Sequence, residues 1–115
     1  GANAADGLAG NSSAIVNFEP FLVNLADRDA FRYLRVTIRL EVLNKSTADK
    51  IVTAEVLSSQ VRDTILGILA TKVSDEIITP EGKEMLKMEI AEKLNAFVPD
   101  KAVKAVFFTD FVVQL

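Results

Sequence analysis

Residues 31–43 read FRYLRVTIRLEVL, and the alternation in this stretch decides the fold. Leu34, Val36, Ile38, Leu40 and Val42 share one parity; Arg35, Thr37, Arg39 and Glu41 share the other. Successive side chains of a strand point to opposite faces. The period of two therefore predicts a half-buried antiparallel strand, apolar below and charged above. Before it, residues 15–25 read IVNFEPFLVNL and change parity midway. Val16 and Phe18 alternate, then Phe21, Val23 and Leu25 alternate out of phase, with Pro20 at the change. A bulge or an edge position at Pro20 accounts for that shift. The polar ADRDA at 26–30 joins the two segments, which together predict a hairpin with a medium loop.

The pattern after the strand is helical. Ser46 and Thr47 are candidate N-caps, with Asp49 in the first turn. From about 48 to 72 there is no proline, and Leu57, Val61, Ile65 and Ile68 recur at helical spacing, widened by Leu66 and Leu69. A continuous helix of that length would span about 38 Å, against a radius of gyration of about 13 Å for a domain of this size. The helix therefore either breaks near its weakly patterned start or projects as an assembly surface. Gly67 lowers helix propensity locally or allows a close backbone contact.

VSDEII, residues 73–78, reads as a short helical turn capped by Ser74. Thr79 at the N-cap, Pro80 at N1 and Glu81 next then give a strong helix start. Leu86, Ile90, Leu94 and Phe97 form the buried stripe of that helix, and Lys83, Lys87, Glu89, Glu92 and Lys93 its wet face. Pro99 ends it. Residues 103–115 place Val103, Ala105, Phe107, Thr109, Phe111 and Val113 on one side, and Val106, Phe108 and Val112 on the other. Both sides are largely apolar, which predicts a strand covered on both faces, with Phe107 and Phe111 together and Phe108 opposite. The order β-β-α-α-β gives an α+β fold: a small antiparallel or mixed sheet with helices packed on one face.

With 115 residues, half of them hydrophobic and a quarter charged, the chain has the balance of one globular domain. The net charge of −3 disfavours nucleic acid, although Arg28, Arg32, Arg35 and Arg39 lie close in sequence. Cysteine and histidine are absent. Their absence removes thiol nucleophiles, Cys/His zinc sites, Ser-His-Asp triads and histidine bases. The remaining candidates are weak. Ser58 and Ser59 stand too far along a helix from Lys72 to act as a pair. Asp27 and Asp29 fit a solvated turn better than a metal loop. Glu81, Glu84 and Glu89 beside Lys83, Lys87 and Lys93 fit a solvated helix face. Carboxylate chemistry, such as that of a hydrolase, stays open in principle, but no residue pattern marks a catalytic, metal or cofactor site.

The charged side of residues 31–43 either faces water or docks a subunit or partner. Its Arg35, Arg39 and Glu41 are candidate contact residues, joined by Asp49, Lys50 and Glu55 on the early helix. Residues 1–14 are small and polar and read as a flexible linker, with Gly1 and Ala2 fitting a cloning remnant; residues 15–115 form the domain. No apolar stretch reaches the roughly 18–20 residues of a membrane-spanning helix.

Four blocks in order, VNLADRDAFRYLRVTIRLEV, VRDTILGILATKVSDEI, PEGKEMLKMEIAEKLN and VFFTDFVVQ, resemble the FliL family of flagellar basal body-associated proteins. The resemblance covers about residues 16–115 and departs mildly at Phe107–Phe108, where the family often has Tyr-Phe. It implies a single-pass inner-membrane protein with a periplasmic C-terminal domain, its anchor preceding the linker. It also implies association with the ion-conducting stator units and basal body, and support of torque, swimming, swarming and chemotaxis. A stomatin/SPFH-like fold, assembly into a homo-oligomeric ring and the lack of catalytic residues follow from the same resemblance. The rival reading is a periplasmic domain that binds a small molecule or lipid, which requires a concave apolar pocket.

Overall fold

The computed structural model describes residues 12–115. The linker assigned to residues 1–14 falls almost wholly outside the described residues. The central strand is β3, Tyr33–Val42, and its even-numbered side chains Leu34 to Val42 are all fully buried. One edge of β3 is shared end to end by β1, Ala14–Asn17, and β2, Phe21–Asn24. Between Asn17 and Phe21 the outer segment advances four residues while β3 advances three, from Arg39 to Val36. The parity change at Pro20 is this extra residue. It turns Val16 inward on one side of the bulge and Phe21 and Val23 inward on the other.

The opposite edge of β3 carries β4, Val103–Gln114, antiparallel along its whole length. Here the simple alternation fails. The register slips twice, at Lys104 and at Thr109, because Glu41 pairs Ala105 while Val42 pairs Val103, and Thr37 pairs Asp110 while Ile38 pairs Phe108. Each slip reverses the parity. The inward series is therefore Val103, Val106, Phe108, Phe111 and Val113, opposite the buried residues of β3. Phe108 and Phe111 share the helix-side face with ring centroids 5.5 Å apart, and Phe107 lies on the other face, 42% exposed. The expected pairing of Phe107 with Phe111 is thus corrected, as is the expectation that β4 is covered on both faces.

All helices lie on the inward face. Asn44, not Ser46 or Thr47, caps α1, Lys45–Thr53: its side chain accepts the Thr47 N–H at 2.9 Å. Of the two readings of residues 48–72, a break near the start is the one found: the helix stops at Ala54, whose ψ of 110° is extended, and resumes as α2, Glu55–Ala70. The α1–α2 elbow lets Ala48 and Ile51 of one helix and Val61, Ile65, Ile68 and Leu69 of the other reach one core. Leu57 is only partly buried, and Leu66 is exposed. Gly67 points into open space, with nothing near an added Cβ. Gly67→Ala should therefore raise stability by about 0.5–1 kcal/mol, read as a higher urea midpoint at unchanged slope.

A single turn, α3, Ser74–Ile77, leads into α4, Pro80–Asn95. Val73 holds the N-cap position of α3, and the Glu76 carboxylate accepts its N–H; Ser74 is the first helical residue rather than the cap. Thr79 caps α4 as expected, accepting from Gly82 N–H at 3.0 Å, with Pro80 at N1. Leu86, Ile90 and Leu94 of α4 are buried against the sheet, and Phe97 packs on them half-buried. The Asn95 amide then clasps β4 by donating to Val103 C=O and accepting Val103 N–H. The turn between them carries Asp100 and Lys101 at positive φ.

Candidate functional site

Because every described helix packs on the inward face, no described element covers the outward face of the sheet, and its side chains follow from the register. Tyr33, Arg35, Thr37, Arg39 and Glu41 form the middle row. Ile15, Asn17 and Leu22 flank them on one side, and Ala105, Phe107, Asp110 and Val112 on the other. Leu22 is 63% exposed, and Ile15, Tyr33 and Phe107 are each exposed by two-fifths or more. Apolar and charged groups alternate across the face.

The charges are mostly paired within the face. Arg35 reaches Asp110 at 3.4 Å, and Lys104 reaches Glu41 at 4.0 Å. Such exposed pairs contribute at most about 1 kcal/mol each. Arg39, between them, makes no side-chain hydrogen bond or ion pair among the described residues. Its cross-strand neighbours are Phe107 and Asn17.

The six candidate contact residues do not form one surface. Arg35, Arg39 and Glu41 lie together on the open face. Asp49, Lys50 and Glu55 lie on α1 and at the start of α2, across the sheet. Asp49 pairs with Lys45 of its own helix at 3.2 Å. Reasoning from the sequence missed Ile15, Leu22 and Phe107 on the open face and Val52 and Val56 at the elbow. Outward parity in residues 15–25 carried the signal for the first two; the β4 bulges concealed Phe107.

The arginines do not form a continuous basic patch. Arg32 is held by Asp27 at 2.9 Å and Asp29 at 3.0 Å, and both carboxylates raise its pKa. Asp27 is not a solvated turn residue, since its side chain is only 5% exposed. It accepts the Ser74 hydroxyl at 2.6 Å and the Ser74 N–H at 2.8 Å, while Ala26 N–H donates to Lys72 C=O at 2.7 Å. The hairpin loop is thereby tied to the α2–α3 junction. The Ser74 hydroxyl, against an opposing effect of burial, holds the Asp27 carboxyl below its ordinary value of 3.8, with Ser74 N–H and Arg32 adding to it. A depressed carboxylate pKa contributes stability above its unfolded value, lost as pH falls through the folded one. Asp27→Asn should therefore melt several degrees below the wild type at pH 7, and the gap should close in acid melts taken below the ordinary carboxylate range.

The helix layer holds an open groove of about 470 Å³ between α3 and α4. Ile77, Leu86, Met85 and Met88 supply its apolar wall, and the Lys72–Glu89 pair, 2.7 Å apart, closes one side. The lysines expected on a solvated face do more than meet water. Lys83 sits 4.8 Å from the Phe111 ring centre and Lys87 5.4 Å from that of Phe108, so they cover the aromatic end of β4. Ser58 and Ser59 lie on α2, and Lys72 is committed to Glu89.

The fold defines the class: a small α+β domain with one sheet surface layered by helices and the other uncovered by any described element. The family model for the flagellar basal body-associated protein FliL matches residues 15–114. The chain is 42% identical over 96 residues to the flagellar protein FliL of Aquifex aeolicus (strain VF5), covering 84% of this chain and 58% of that one. It is 30% identical over 81 residues to the flagellar protein FliL of Bacillus subtilis (strain 168), covering 70% of this chain and 56% of that one. The chain belongs to the FliL family of flagellar basal body-associated proteins. It spans just over half the length of these relatives.

Proposed function

We propose that this domain is the periplasmic part of a non-enzymatic flagellar motor accessory protein. It associates with the stator units as a ring of identical, SPFH-like subunits anchored in the inner membrane, and it supports torque for swimming and swarming. The observation that carries this reading is the conjunction of family membership with an open sheet face of mixed apolar and exchangeable charged groups. Such a face suits lateral contacts that are weak singly and are strengthened by confinement to a membrane and by multivalency. The test is complementation of a deletion strain with the full-length protein, combined with crosslinking to stator subunits in the same cells. Restored motility with a stator crosslink is the expected result. Unimpaired motility in the deletion strain, or complementation without proximity to the stator, would contradict it.

The α3–α4 groove favours the second reading, a small-molecule or lipid site, because its volume falls within the usual range of about 300–1,000 Å³ for ligand pockets. A melting-temperature screen with fatty acids and phospholipid headgroups tests it. A reproducible rise abolished by Met88→Glu would support a ligand role; no rise would leave the groove as surface relief.

A further inference from the structure

Arg39 is the unbalanced charge of the open face, and the same molecule carries a complement to it. Its cross-strand neighbour Phe107 and the nearby Ile15 give it an apolar margin, so the socket fits a carboxylate flanked by aliphatic side chains. At the α1–α2 elbow, Glu55 has that setting. Val52, three residues before it and across the break, is 59% exposed, and Val56, next to it, is 74% exposed. Glu55 itself makes no side-chain hydrogen bond or ion pair among the described residues. The helix break at Ala54 turns this group into a corner rather than a smooth helix side.

We infer that the Arg39–Phe107 socket of one subunit receives the Val52–Glu55–Val56 elbow of a second copy of this chain. The inference rests on the ring assembly proposed above and names the surfaces that meet in it. Socket and elbow are different surfaces, one on the open face and one in the helix layer. The contact is therefore heterologous, and each added copy leaves a free socket and a free elbow for the next. One competing carboxylate is Glu81, between Ile78, 51% exposed, and Met85, 71% exposed. Met85 lines the α3–α4 groove, as Val52 lines a smaller hollow of about 280 Å³ beside Asn17 and Arg62, so the test below sets Glu81 directly against Glu55.

Residues 1–115 contain no cysteine, and with any cysteine outside them replaced by serine a direct test is available. Two differently tagged full-length proteins, one with Ala54→Cys beside the elbow and one with Ala105→Cys beside the socket, are expressed together in cells lacking the native copy. Mild oxidation should give a mixed disulfide dimer. Arg39→Glu or Glu55→Arg alone should reduce its yield at least tenfold, and the two reversals combined in each chain should restore it. No mixed dimer, a yield indifferent to either reversal, or rescue of Arg39→Glu by Glu81→Arg instead of Glu55→Arg would overturn the inference. Motility of the parent strain, scored in parallel, separates the two ideas: a protein required for swimming that gives no 54–105 disulfide keeps its motor role and loses this contact.

Discussion

Ile38→Ala should lower the stability of the domain by about 3–4 kcal/mol, among the largest effects of any single truncation here. Ile38 is fully buried at the middle of β3 and lies opposite Phe108 at the point where β4 slips register. Its removal leaves a cavity beneath a bulged strand that the sheet cannot close, because β3 is held along one edge by β4 and on the other by β1 and β2 to either side of Ile38. Phe108→Ala, although it deletes more atoms, should cost only about 1–2 kcal/mol, since Phe108 is half-buried and Lys87 forms part of its cover. Urea unfolding of both variants checks the order. A larger loss at Phe108 would mean that the aromatic end of β4, rather than β3, is the centre of the core.

Gly82→Ala should cost about 2–3 kcal/mol, near the upper end for overpacking. A Cβ at Gly82 would sit well inside contact distance of the Glu76 carbonyl oxygen and 3.0 Å from the Thr79 hydroxyl that caps the helix. The obstruction is backbone, so relief requires α3 and α4 to separate, which strains the Thr79 cap. Gly67→Ala provides the contrast within the same fold, being stabilising because that site is open. Equal effects at the two glycines would show that helix propensity, rather than the α3–α4 approach, sets the cost.

The parts of the fold that were legible in the sequence are those whose cause is local. The alternation of β3, the parity change at Pro20 and the Thr79-Pro80 start each carry their own residue-type signature. The parts that were not legible have causes elsewhere in the chain. The bulges at Lys104 and Thr109 use ordinary strand residues and come from fitting β4 to β3, so a strict period of two put Phe107 and Phe108 on the wrong faces. The weak pattern at the start of residues 48–72 allowed a break, but its place at Ala54 has no local mark, because alanine is the best helix former; it follows from the core that α1 and α2 share. Asp27 looked like a turn residue because Ser74, its partner, is 47 residues away.

The candidate site divides the same way. Arg35, Arg39 and Glu41 were readable as one face from strand parity alone. That Arg35 and Glu41 are already paired, leaving Arg39 as the free charge, depends on where the bulged β4 places Asp110 and Lys104. Asp49, Lys50 and Glu55 were chosen for exposure, which a sequence pattern cannot assign to a particular side of a sheet.

The measurement that bears most directly on the role of the open face is swarming and swimming in viscous medium by a strain whose protein carries Arg35→Glu and Arg39→Glu, alongside the melting temperature of the same purified domain. A contact role predicts a folded domain that melts within a few degrees of the wild type and a strain that fails under load. Normal motility under load, with the charges reversed and the domain folded, would contradict it.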